Sequence, residues 1–149
     1  MRPKSIVNFE RIVLLNILLG IVTLWLSWDK MQAVQQAALA EKGQGKMVGM
    51  VSSLTIGMEV LFIAVYLLLV WLIARKASPV AKWIYVVLAV IGLILAVIGL
   101  GKAAALGTVP MVLGLLGHVL SLISLWLLFR PDSKAWFNEG RAADPSDLR

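Results

Sequence analysis

Residues 79–101 read PVAKWIYVVLAVIGLILAVIGLG. Beyond Lys82 this run carries no charge for its remaining length. An α-helix rises about 1.5 Å per residue and needs about 20 apolar residues to cross a bilayer core. The run meets that length, opens on the Ser78-Pro79 pair and contains neither a turn signal nor a polar face. Serine is a strong N-cap, and proline at the first helical position gives up an N–H that has no intrahelical partner there.

Three more stretches share this character. Residues 12–28 contain no charge, residues 51–74 are interrupted only by Glu59, and residues 108–129 end just before Arg130 and Pro131. The chain has 149 residues, of which 60% are hydrophobic, and its mean hydropathy is +0.91. Soluble domains are about 45–50% apolar, so lipid is the solvent for much of this surface. The expected architecture is all-α: a polytopic membrane protein with four transmembrane helices in an antiparallel bundle, forming one membrane domain over residues 1–149. Residues 29–50 form an outer loop and residues 130–149 a cytoplasmic tail. Ala38-Leu39-Ala40 resembles a signal-peptidase site, but Asp29 and Lys30 separate it from the apolar run, which reads as an uncleaved span.

Basic residues orient the bundle. Arg2, Lys4, Arg11, Arg75, Lys76, Lys82, Arg130, Lys134, Arg141 and Arg149 fall on one side; Lys30, Lys42, Lys46 and Lys102 fall on the other. The richer side is expected to be cytoplasmic, which places both termini inside. Trp25 and Trp28 mark the outer boundary, and Trp71, Trp83, Tyr85 and Trp126 the inner one. The net charge of +6 is thus read as anchoring to head groups, with the bilayer as partner and no nucleic acid. Residues 31–42 (MQAVQQAALAEK) are rich in helix formers, so the first span either continues as a helix beyond the lipid or bends onto its surface. At the other end, residues 132–137 suggest one interfacial turn with Trp136 and Phe137 dipping into head groups. Residues 140–149 read as a polar, frayed end.

Helix association in lipid depends on close packing and interhelical hydrogen bonds. Small residues recur at steps of three and four: Asn16, Gly20, Thr23 and Ser27; Ala89, Gly92, Ala96, Gly99 and Ala103; Gly107, Pro110, Gly114, Gly117, Ser121 and Ser124. Gly92, Gly99, Gly114, Gly117 and Ser121 are the expected helix-packing positions, within one bundle or between subunits of a homo-oligomer.

Chemistry-bearing residues are few. There is no cysteine and one histidine. No phosphate-binding glycine loop, nucleophile elbow, H-E-x-x-H or carboxylate cluster occurs. An enzyme is not expected, and no catalytic residue, metal site or cofactor is assigned. Glu59 is the one acidic residue well inside a span, and a charge there costs about 2.5–3.5 kcal/mol on insertion scales. Ser52, Thr55, Glu59, Phe62 and Tyr66 share a helix stripe. Counting about 1.5 Å per residue, Glu59 and His118 both lie roughly 12–13 Å from the outer ends of their spans. The candidate intramembrane polar or ion-coupling site is therefore Glu59, His118, Asn16, Thr55 and Tyr66, with Glu59 and His118 paired and Asn16 a further interhelical hydrogen-bonding group. The expected role is a non-enzymatic inner-membrane protein assembling with itself or another membrane protein. The alternative is a small oligomeric ion channel or proton-coupled transporter using Glu59.

The tail LLFRPDSKAWF, residues 127–137, resembles the end of a family of small bacterial four-transmembrane-helix inner-membrane proteins, whose last span closes on an R-P-D-x-x-x-W-F pattern. ARKASPVAKW, residues 74–83, is similar to their central cytoplasmic loop. The resemblance implies a bacterial inner-membrane location and brings no activity or functional residues. Small multidrug transporters also have four spans, but they characteristically carry a glutamate in the first, where this chain has none.

With no native cysteine to interfere, single introduced cysteines report topology cleanly. Labelling from outside is expected at residues 42–46 and absent at both termini. Termini on opposite sides of the membrane would rule out the four-span arrangement.

Overall fold

The computed structural model describes residues 2–142, with side chains described for 2–99 and 106–138. It is all helical: α1 spans Lys4–Glu41, α2 Val48–Lys76, α3 Pro79–Ala105, α4 Thr108–Leu128 and α5 Pro131–Ala142, with one 3-10 turn at Gly45–Met47. The first four are long and apolar enough to cross a membrane. They form an antiparallel ring in which α1 packs most extensively on α4, then on α2, while α3 bridges α2 and α4. Across the ring, α1 faces α3 and α2 faces α4.

The outer loop expected over residues 29–50 is mostly helix. α1 runs unbroken for 38 residues, about 57 Å at 1.5 Å per residue, and its extension packs back against the start of α2. Ser52 Oγ donates to Gln32 Oε1 at 3.0 Å across this hairpin. Gly43, at φ 68°, makes the reversal. The extension persists because residues 31–41 contain no proline or glycine and have a neighbouring helix to lean on.

The turns between spans are short. α2 ends on Ala77 in the left-handed region, φ 48°. Ser78 Oγ then accepts a hydrogen bond from the Ala81 N–H at 3.3 Å, capping α3. Gly107, at φ 106°, joins α3 to α4; a Cβ there would sit 2.6 Å from Lys30 Nζ. Both its backbone conformation and this close approach call for glycine.

The tightly packed core occupies one end of the bundle, where the N-terminal and C-terminal segments meet. Ile6, Phe9, Val13, Leu69, Ile73, Ala74, Ala81, Tyr85, Leu128 and Phe137 are buried there. Phe9 meets Tyr85 edge-on at 5.1 Å between centroids, and Tyr66 meets Tyr85 at 5.6 Å. Tyr85, placed at the inner boundary by its sequence position, is instead a central side chain, 2% exposed.

The tail also differs from expectation. In place of one turn against head groups, α5 is a 12-residue helix docked beneath the bundle. Trp136 Nε1 donates to the Ile73 carbonyl at 3.1 Å, one of the last carbonyls of α2 that its own helix leaves free. Phe137 is buried, and Lys82 Nζ lies 4.9 Å from its ring centre and 4.6 Å from that of Phe129. Ser133 Oγ lies 2.7 Å from both Ser5 Oγ and the Leu127 carbonyl. Residues 140–142 continue the helix; residues 143–149 of the expected frayed end lie outside the described residues.

Hydrogen bonding from Ser5 chiefly holds the exposed Asp132 carboxyl below its ordinary value. A lowered carboxyl contributes stability above its unfolded value and loses it as pH falls through the folded one. The α5 contact is therefore expected to loosen in acid. Trp136→Phe removes the hydrogen bond to Ile73 and should lower unfolding stability in detergent by about 0.5–1.5 kcal/mol. An unchanged melting transition would return Trp136 to the head groups.

Candidate functional site

Beyond the packed end a space opens among the helices, while α1 and α4 stay in close contact. Its larger part, about 400 Å³, is lined by Asn16, Gly20, Thr23 and Ser27 of α1, Tyr66 of α2, Ala89 and Gly92 of α3, and Gly114, Gly117, His118 and Ser121 of α4. A smaller part, about 190 Å³, is lined by Glu59, Phe62 and Tyr66 of α2 together with Val13, Asn16, Gly20, Tyr85 and Ser121. Asn16, Gly20, Tyr66 and Ser121 belong to both.

The stripes of small residues thus converge and border open space, while α1 and α4 remain closely packed on each other. A Cβ added to Gly92, Gly99 or Gly114 would meet nothing within 4 Å. Gly117 is the exception: a Cβ there would lie 3.0 Å from Asn16 Oδ1. Ala103 lies outside the described side chains. The wide aromatic side chains of the packed end, Phe9, Tyr66 and Tyr85, sit just below the small residues. Wedging large groups at one end and placing small ones above them leaves the interior open.

Hydrogen bonds fix the floor of this space. Asn16 Nδ2 donates to Ser121 Oγ at 3.0 Å, joining α1 to α4. Ser124 Oγ gives its proton to the Ser121 carbonyl at 2.7 Å, so it accepts from the Tyr85 hydroxyl at 2.6 Å. Thr23 and Ser27 donate to carbonyls of their own helix, Leu19 at 2.8 Å and Thr23 at 2.7 Å. These hydroxyls are satisfied in place and leave the cavity walls less polar than the sequence alone suggests.

Glu59 and His118 are brought to adjoining cavities but not into contact. No hydrogen bond or ion pair joins them among the described residues. α2 and α4 stand diagonally in the ring, so matched depth leaves the central space between the two side chains. Thr55 lies away from the site and donates to the Val51 carbonyl at 2.9 Å within its own helix. Tyr66 lies at the centre, shared by both cavities.

Tyr85 and Ser124 were not singled out as site residues by sequence. Ser124 belonged to the span-four stripe, but its tyrosine partner looked like one more boundary aromatic. The stronger signal would have been its spacing from Ala81 and Ala89, at steps of four on one face of α3. Among the described residues, no group of three or more histidine, cysteine, aspartate or glutamate side chains is arranged to hold a metal ion.

The fold defines a multi-pass α-helical membrane protein. Compared with protein-family models, curated proteins and solved structures, the chain gives no match.

A double-mutant cycle separates the polar pairs. Asn16→Val with Ser121→Ala should show coupling of roughly 0.6 kcal/mol, the scale of interhelical hydrogen bonds in membranes. Glu59→Gln with His118→Gln should be additive within about 0.5 kcal/mol. Strong coupling between the second pair would place the two side chains in contact.

Proposed function

We propose that this chain is a non-enzymatic integral protein of the bacterial inner membrane that assembles with a second copy of itself through α2, with both termini cytoplasmic. The observation that carries this reading is a bare strip on the outside of α2. Gly49, Ser53 and Gly57, spaced by four, are all exposed. A Cβ on Gly49 or Gly57 would meet nothing within 4 Å, and the Ser53 hydroxyl is occupied by the Gly49 carbonyl at 3.0 Å. Exposed Met50, Leu54 and Leu61 flank the strip. Small residues at a spacing of four let two helices approach closely, here at the outer end of α2, where Ser52 pairs with Gln32 of the α1 extension. Within the protomer this strip packs against nothing, whereas the stripes of α1 and α4 are turned to the central space.

Glu59 supports a second reading, a small oligomeric ion channel or proton-coupled transporter, because it faces an intramembrane cavity. In one protomer, Phe9, Tyr66 and Tyr85 fill the axis beneath that cavity. Conduction along it would require these rings to move.

Ser53→Cys should form disulfide-linked dimers on mild oxidation in native membranes, and Trp25→Cys, 78% exposed on α1, should not. Gly57→Leu should abolish the Ser53→Cys crosslink without disturbing the protomer. Equal crosslinking at both sites would overturn assembly through α2. Ion or proton flux in proteoliposomes that disappears in Glu59→Gln would favour the second reading.

A further inference from the structure

We infer that the two adjoining cavities form one binding site for a monovalent organic cation with an apolar body, its charged head beside Glu59 and its body in the larger cavity. The site lies within a single protomer and stands whether or not the chain assembles.

Charge comes first. Glu59 lines the smaller cavity and has no ion pair or hydrogen-bond partner among the described residues. Neither cavity is lined by lysine or arginine. A carboxylate within a membrane is costly unless something supplies the counter-charge. Nothing described in the protomer does so, and a bound cation would.

Chemistry of the walls narrows the kind of cation. Phe62, Tyr66 and Tyr85 line the same small cavity as Glu59. Ring faces attract alkylated ammonium groups, which aromatic cages recognise. A small hydrated metal ion would need several oxygen ligands, and the lining supplies one carboxylate; the neighbouring Asn16 and Ser121 are already bonded to each other.

The larger cavity accounts for the body. Its 400 Å³ falls in the range of about 300–1,000 Å³ usual for small-molecule sites. Leu19, Leu24, Leu93 and Leu113 line it together with glycines, its Thr23 and Ser27 hydroxyls are turned to backbone carbonyls, and Ser121 is bonded to Asn16. His118 lines this part and not the smaller one, so it stands at the body end, away from the head. With the carboxylate and three rings at one end and Leu19, Leu24, Leu93 and Leu113 at the other, the adjoining cavities suit a cationic head and an apolar body.

The test uses the full chain in phosphatidylcholine nanodiscs, with empty discs as the blank. Two water-soluble probes of similar size and opposite charge are titrated calorimetrically: benzyltrimethylammonium and benzylsulfonate. The cation should bind in a protein-dependent, saturable way, and the sulfonate should not. Glu59→Gln should weaken the cation by about tenfold or more, as expected for removing the counter-charge of the site, while its thermal unfolding remains cooperative. Tyr66→Leu should weaken it by about threefold or more through loss of a ring face. Equal binding of both probes would mean an apolar site without charge selection and would overturn the proposal. So would absence of cation binding, or undiminished binding in a folded Glu59→Gln protein. If that variant does not fold, the comparison of the two probes on the unaltered protein still decides.

Discussion

Everything above the termini-bearing end depends on how the Tyr85 side chain is held. Its ring is gripped edge-on by Phe9 and Tyr66, and its hydroxyl reaches Ser124 across the α3–α4 contact. One side chain thereby ties together all four spans. In water, hydrophobic burial along the whole length would press the helices together; in lipid that force is largely absent. Shape and hydrogen bonds must hold them where they touch. The lock is joined further along by the Asn16–Ser121 bond between α1 and α4 and, at the far end, by the Ser52–Gln32 bond between α2 and α1.

This explains why small residues serve two purposes in one short chain. On α1, α3 and α4 they lie above the aromatic lock and border open space, so their missing side chains become cavity volume. On α2 the set Gly49, Ser53 and Gly57 lies outside the ring, where missing side chains become an exposed shallow strip. The chemistry of the residues is the same in both places; position relative to the lock gives them different consequences.

The number and order of the apolar helices were legible because the hydrocarbon core imposes a length requirement that residues 79–101 and their three counterparts meet openly; their ends were not, since α1 runs on to Glu41. The meeting of the small-residue stripes was legible from their spacing, as was Asn16 as an interhelical hydrogen-bonding group. The gap between the stripes was not: helical periodicity says which residues share a face but carries no measure of the distance between faces. The Glu59–His118 pairing failed for a related reason. Depth along a helix can be counted in sequence, whereas the order of helices around the ring, which puts α2 opposite α4, is a tertiary fact. The strip on α2 lies on the side of that helix away from Glu59, and exposed small residues at a spacing of four carry no sign in the sequence of which side of the bundle they face. Trp136 was misplaced because a tryptophan at a membrane boundary and one capping another helix look alike in sequence.

The unbroken length of α1 has a mechanical meaning. Lys30 lies level with the α3–α4 turn at Gly107, so the 11 residues from 31 to the end of the helix at Glu41 rise beyond that turn by about 16 Å, braced by α2 through Ser52. The same rod carries Asn16 at the cavity floor and Phe9 in the aromatic lock. It contains no proline, and Gly20 with the back-bonded Thr23 and Ser27 lies midway along it. Whatever holds the projecting tip is thus joined through one continuous helix to the wall of the cavity.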